Sequence, residues 1–320
     1  MIASVLDRAL DLTVAPGYSR VGYELRRRGW PGRGDDLPQM EGRTVVVTGA
    51  TGGIGRAAAE RFAALGARVV LVGRSQERAD TARREIVAAT GNQDVAIVLA
   101  DLASLDSVQA AVDTLKRDEA AIHVLVNNAG VMSDTRQLSV DGHELTFATN
   151  LLGTFALTEG LRELLVESAP ARIVTVSSGG MYSQKLRLDD LQTARMEYAA
   201  PAVYARTKRG QVVLTEWWAD QLRGTGVTVH AMHPGWADTP GVETSLPRFH
   251  SLLKPVLRTP EQGADTIVWL GAAAEPGRTS GRFWHDRRPR PVNVLPTTRG
   301  GDDDGERLSA ALRDLVSAPR

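Results

Sequence analysis

TVVVTGATGGIGRAAAERF, residues 44–62, decides the fold. Residues 44–48 are a short β-branched run of the kind found in buried strands. From Arg56 onward the chain is rich in Ala, Arg and Glu, and Gly66 is placed to end a helix. Between the two lie Gly49, Gly53 and Gly55. Glycines there allow a tight turn and let the backbone approach a pyrophosphate, which a helix N-terminus favours electrostatically. A glycine pattern alone is a weak signal. Set between a strand and a helix, it favours dinucleotide binding over a plain turn.

Outward from this stretch the same alternation continues. ARVVLVG (67–73) predicts a second strand, with a polar helix from about 76 to 89, and DVAIVLA (94–100) a third strand. Ser104 is placed to cap the next helix. IHVLVNNAG (122–130), ARIVTVSS (171–178), GVTVHAMHPG (226–235) and GRFWH (281–285) predict strands four to seven. Helical patterns cover 140–167, 202–223 and 260–273. Strands apolar on both faces, alternating with helices, predict an α/β fold: a doubly wound parallel sheet of about seven strands with helices on both sides. Ligands in such sheets bind beyond the strand C-termini, near the switch in strand order.

The chain divides into an N-terminal arm and linker (1–40), one α/β domain (41–285) and a polar tail (286–320). Ile2, Val5, Leu6, Ala9 and Leu10 recur at helical spacing in the arm, and Asp7, Arg8 and Asp11 interrupt any secretory leader. The arm is expected to dock or cap, with at most weak peripheral contact with a membrane. No apolar run approaches the ~20 residues a transmembrane helix needs. A net charge of +0 gives no electrostatic case for nucleic acid, and the absence of cysteine excludes disulfides and thiolate chemistry. The expected location is the cytoplasm. Long apolar helix faces that include Trp217 or Trp218 predict a homo-oligomer through helices 140–167 and 202–223, and the two tryptophans suit either a core or a dimer face.

Two further segments bear on chemistry. A dinucleotide site that selects NAD usually carries Asp or Glu ~20 residues past the glycine loop. Here the chain reads Gly73-Arg74-Ser75, and Arg74 is in place to pair with a 2′-phosphate. NADP(H) is therefore the expected cofactor, with NAD(H) as the alternative. In VYARTKRGQ (203–211), Tyr204 and Lys208 are four apart and share one face of a helix. A surface Tyr packed on a Lys stem would read the same way. His230 and His233 fall on opposite faces of a strand end with no third ligand evident, so no metal is expected.

TGATGGIG, Asp101-Leu102, NNAG at 127–130, Asn150 in NLLGTF, IVTVSS at 173–178, Tyr204-x-x-x-Lys208 and HPGWADT at 233–239 occur in one order and spacing. Together they resemble the short-chain dehydrogenase/reductase family across about residues 41–285, with its Rossmann-like fold. SSGGM after strand five, VYAxxK and HPGWADTPGV narrow the resemblance to one branch of that family. The resemblance implies hydride transfer between an alcohol and a carbonyl. It makes Tyr204 the general acid/base, Lys208 the group that lowers its pKa and binds the nicotinamide ribose, and Ser178 the donor to the carbonyl oxygen. Asn150 would interrupt its helix and hold a relay water. The implied cofactor contacts are Thr48, Gly49, Gly53, Ile54, Gly55, Arg74, Asp101, Leu102, Asn128, Ala129, Gly130, Tyr204, Lys208, Pro234, Gly235 and Thr239. The substrate would be a small-molecule carbonyl or alcohol. Met181, Tyr182 and Trp236 fall where an apolar pocket would be framed, and Asn127 is expected to be structural.

The chain departs from the family pattern by an insert that puts 26 residues between Ser178 and Tyr204. It also has Gly52 where NADPH-preferring relatives often carry a cation, a loss that Arg56 would make good if it turned toward the loop. An epimerase or dehydratase on the same fold, or a dinucleotide-binding sensor or scaffold without turnover, are the alternative readings.

Overall fold

The computed structural model describes residues 14–31, 36–239, 243 and 247–318 of the 320. The apolar stripe at Ile2 to Leu10 lies outside the described residues.

The arm contributes α1 (Val14–Tyr18) and α2 (Arg20–Arg27). The alternation then runs β1 (Thr44–Thr48), α3 (Gly53–Ala64), β2 (Arg68–Gly73), α4 (Gln76–Thr90), β3 (Val95–Leu99), α5 (Leu105–Asp118) and β4 (Val124–Asn127). A broken helix follows: α6 (Leu145–Phe147), a π turn (Ala148–Leu152), α7 (Gly153–Gly160) and α8 (Arg162–Glu167). The second half comprises β5 (Ala171–Val176), α9 (Ala200–Gln221), β6 (Val227–Met232), α10 (Pro247–Leu253), α11 (Pro260–Ala272), β7 (Arg282–His285), β8 (Arg288–Arg290) and α12 (Asp304–Ser317).

The strands form one sheet in the order β3-β2-β1-β4-β5-β6-β7-β8. β1 to β7 pair in parallel and β8 pairs antiparallel to β7. All of β1 is buried, and its residues alternate between two cores. Val46 joins the core under α5, α7, α9 and α12, while Val45 and Val47 join the core under α3 and α11. Strand order reverses between β1 and β4, so the crevice expected to hold a ligand opens at their C-terminal ends. Ser104 caps α5 by accepting from Ser107 N, and Gly66 closes α3 at φ +85°. Among the described residues no helix is long and apolar enough to cross a membrane.

The sheet, expected to have about seven strands, has eight. Asp286 and Arg287 turn the chain with φ of 49° and 57°, and β8 returns along β7. Both central residues of a type I′ hairpin turn need positive φ, which usually selects Asn or Gly. Here ion pairs hold the turn instead: Asp286 to Arg258 and Arg26, and Arg287 to Asp265. Asp286, read as the first residue of a polar tail, is 1% exposed.

Trp217 and Trp218, for which the sequence left a core or a dimer face open, lie in the core. They are covered within the chain. Leu308 and Leu312 of α12 are fully buried in the same core. Trp217 Nε1 donates to Glu306, and the Arg313 guanidinium lies 4.9 Å over the Trp217 ring.

Candidate active site

The glycine loop is held from behind. Gly49 takes φ +65° and Gly53 φ +53°, and Gly49 N–H donates to Val72 O at 2.9 Å. A Cβ on Gly55 would lie 2.3 Å from Gly49 O and 2.4 Å from Asn128 Nδ2, so only glycine lets α3 start this close to β1. Thr48 Oγ1 accepts from Asn128 N and Ala129 N and donates to Val126 O. Asn128 Nδ2 donates to Thr48 O at 2.8 Å. The side chains of Thr48 and Asn128 therefore brace the loop instead of lining it. Ile54 packs on the α3–α11 core.

At the end of β2, a Cβ on Gly73 would meet Thr51 Cγ2 at 2.7 Å, so the loop and this strand end are fitted to each other. Arg74 is exposed there. Arg56 turns away from the loop to Glu85 and Glu60. The second cation at the loop is Arg78, which sequence reasoning missed. Its Nη2 comes within 3.4 Å of where a Cβ on Gly52 would sit. The available signal was its place in the first turn of α4, three residues past the Ser75 cap. Asp101, exposed past β3, accepts from Ala103 N, while Leu102 is buried. The Leu102 carbonyl would lie 2.0 Å from a Cβ on Gly153, so Gly153 admits this segment against α7. These residues fit a nicotinamide dinucleotide: an open glycine turn, a helix N-terminus, and cations at the end of β2.

The four residues implied as catalytic converge. Asn150 sits in the π turn, a distortion often found at functional sites. Its Oδ1 accepts from Val131 N at 2.7 Å, and its Nδ2 donates to Val131 O and to Thr207 Oγ1. Lys208 Nζ, 2% exposed, donates to Val176 O at 2.8 Å and to Gln211 Oε1 at 3.1 Å. A Cβ on Gly130 would lie 3.3 Å from both Lys208 Nζ and Asn150 Oδ1, which places the NNAG turn directly over the pair. Gln211 Nε2 donates to the Asn150 carbonyl at 2.7 Å. Gln211 thus joins Lys208 to Asn150. Sequence reasoning missed it, although it lies one helical turn past Lys208.

Lys208 Nζ is 5.5 Å from the Tyr204 ring centre, and Ser178 lies close enough to the Tyr204 phenol to lower its pKa. Ser178 Oγ also accepts from Gly180 N at 3.1 Å. Ser177 points the other way and donates to Lys208 O at 2.8 Å. Burial pushes the Tyr204 phenol up to about 12, and Ser178 beside it acts in the opposite direction. Burial also pulls Lys208 down to about 7.

The loop after β6 carries Pro234, Gly235 and Thr239. Gly235 takes φ +76°, and Arg258 Nη1 donates to Pro234 O at 3.1 Å. His233 stacks on His285 at 3.8 Å, while His230 accepts from Trp284 Nε1 on the other face. Met181, expected to frame a pocket, is fully buried among Val212, Ala231 and Phe283 and belongs to the core. Tyr182 donates its hydroxyl to Pro291 O. Trp236 remains at the site and meets the Tyr18 ring edge-on at 6.0 Å. Asn127 Nδ2 donates to Thr158 Oγ1 within the fold.

Comparison with known proteins agrees with this arrangement. The family model for short chain dehydrogenase matches residues 43–248. Dehydrogenase/reductase SDR family member 12 of Bos taurus is 42% identical over 93% of this chain and 94% of its own length. Retinol dehydrogenase 11 of Mus musculus is 35% identical over 78% of this chain and 79% of its own. An uncharacterized protein of Mycobacterium Paratuberculosis superposes with a TM-score of 0.68 at 27% identity, covering 88% of this chain and 96% of that one. An NAD(P) dependent dehydrogenase structure from Beutenbergia cavernae, with bound NADP, superposes at 0.64 and 28% identity over 77% and 95%. With its braced glycine turn and its Ser178–Tyr204–Lys208 cluster at the strand C-termini, the chain belongs to the short-chain dehydrogenase/reductase family and is an oxidoreductase.

Proposed function

We propose that the protein is an NADPH-dependent reductase of small to medium apolar carbonyl compounds. The observation that carries this is the buried Lys208 ammonium 5.5 Å from the Tyr204 ring centre, with Ser178 beside the phenol. Arg74 and Arg78 beside the glycine loop favour the 2′-phosphorylated dinucleotide, and the NADP bound in the Beutenbergia cavernae structure supports that choice. The name retinol dehydrogenase carried by a relative points to apolar alcohols and carbonyls.

Bound NADPH would supply the hydride. The chain's own residues do the rest. Ser178 donates to the carbonyl oxygen and stabilises the charge that develops there. Tyr204 gives its hydroxyl proton to that oxygen. Lys208 and Asn150, linked by Gln211, hold the floor beneath Tyr204 and stabilise the phenolate that remains. The low value of Lys208 sets a condition: its charge is fullest below about pH 7, so phenolate stabilisation by Lys208 weakens as pH rises above that.

The test is NADPH oxidation by the purified protein over a panel of lipophilic aldehydes, ketones and quinones. Turnover of at least one class that is lost in Tyr204→Phe supports the reading. Tight NADPH binding with no turnover across the panel would replace it with a binding role.

A further inference from the structure

The sequence predicts only that the arm docks or caps. Three sets of contacts bring it into the site. First, the Tyr18 ring packs on Gly179, the residue directly after Ser178. A Cβ on Gly179 would lie 2.5 Å from Tyr18 Cε2 and 3.2 Å from its hydroxyl. Second, the arm backbone is bonded into the loop after β6. Trp236 N–H donates to Tyr18 O at 2.8 Å, and the Tyr18 ring meets His233 edge-on at 4.5 Å. Third, the segment is fixed by buried charge. Arg26 Nη1 donates to Asp286 Oδ2 and to Gly17 O, each at 2.7 Å. Arg258 makes a two-pronged contact with Asp286 at 2.6 and 2.9 Å and reaches Gly17 O and Ser19 O. Arg26, Arg258 and Asp286 are all buried. Burial on its own would raise the Asp286 carboxyl, but Arg258 and Arg26 hold it well below the usual carboxylate range.

We propose that Tyr18 is a specificity-determining residue: its ring, supplied by the arm, forms the wall of the substrate cleft beside Ser178 and packs against the apolar portion of the carbonyl substrate. The assignment rests on the reductase reading above. Gly179 is the complementary surface, since any side chain there would displace the ring. An apolar chain that leaves Ser178 toward Trp236 runs along the ring, whereas a short carbonyl compound does not reach it.

The experiment compares kcat/KM for propanal and decanal in wild type, Tyr18→Ala and Tyr18→Phe, together with NADPH affinity. Tyr18→Ala is expected to lower the decanal-to-propanal ratio by about tenfold, chiefly through KM, since a few methylenes of contact carry that much discrimination. Tyr18→Phe should restore the ratio to within about twofold, and NADPH affinity should change by less than about twofold. An equal loss on both aldehydes, or an unchanged ratio, would overturn the proposal and leave the reductase reading standing.

A second measurement does not need turnover: calorimetric titration of decanamide, an unreactive carbonyl mimic, into the NADP-loaded protein. Weaker binding by about tenfold in Tyr18→Ala supports the wall even if no aldehyde is reduced, in which case the reductase reading fails alone. No binding to wild type would overturn the wall. If Tyr18→Ala does not fold, Gly179→Ala provides the same test by pushing the ring aside, and it should shift the ratio in the same direction. An unmoved ratio in Gly179→Ala would again overturn the proposal.

Discussion

The two halves of the cleft are built by different means. On the cofactor side, β1 to β4 and their helices place each group by local rules: a glycine turn between strand and helix, an arginine at a strand end, a serine cap. On the substrate side, the wall is assembled from distant pieces. Arg26 of the arm reaches Asp286 across 260 positions, and Arg258 joins both to the loop after β6. The contrast has an energetic side. The cofactor half relies on apolar strand burial and backbone hydrogen bonds. The substrate half relies on a buried carboxylate between two guanidiniums, an arrangement costly to form and more costly to break on one side only.

The largest expected effect tests whether the two halves meet at one catalytic point. Tyr204→Phe removes the transferable proton and should lower kcat by about a hundredfold or more while NADPH affinity stays within about twofold. Steady-state kinetics with fluorescence titration of NADPH checks this. Retention of more than about a tenth of kcat would detach the acid role from Tyr204.

Asp286→Asn tests the substrate half. It leaves Arg258 and Arg26 facing a neutral amide in a buried site, and a loss of about 3–5 kcal/mol is expected. The folded value of Asp286 lies below its unfolded one. Its contribution is therefore present above the ordinary carboxylate value near ~3.9 and is lost as pH falls below that. Denaturation curves between neutral and acid pH should show a shallower acid decline in the variant than in wild type. An equally steep decline would mean that other carboxylates govern acid stability and that the tie is not the weak point of this half.

Leu308→Ala probes the helix that covers Trp217. The side chain is fully buried, so about 2–5 kcal/mol should be lost. Loosening α12 should also shift tryptophan emission to longer wavelength and increase the mass by light scattering, as the α9 face becomes available to a second copy. A variant whose mass and emission match wild type would show that α12 is not what keeps that face occupied.

The smallest effect concerns the cofactor half. Arg74→Ala should lower the NADPH-to-NADH ratio of kcat/KM by about tenfold, in line with ~1.5–3 kcal/mol for a hydrogen bond to a charged group. Arg78→Ala should lower it less, because Arg78 approaches the loop at Gly52 from the helix rather than from the strand end. If Arg78→Ala had the larger effect, the phosphate contact would move from the strand end to α4.

The sequence alone determined the parallel sheet, the crevice and the identity of the cluster. Apolar β-branched runs such as TVVVT favour strands buried on both faces, and the glycines that follow mark the turn into α3. Tyr204 and Lys208 lie four apart on one helix, so their proximity follows from helical geometry. Tertiary structure decided what depends on contacts between distant segments. β8 was hidden because a three-residue polar strand around Pro289 has no alternation, and its turn residues take positive φ only because Arg258, Arg26 and Asp265 hold them. Met181 falls where a pocket would be framed but packs into the core, and Trp217, suited to a core or an interface, is covered by α12. Gln211, Arg78 and Tyr18 carried no recognisable motif. Each acquires its role from a neighbour that the fold supplies: the Asn150 carbonyl, the open face of Gly52, and the bare backbone of Gly179.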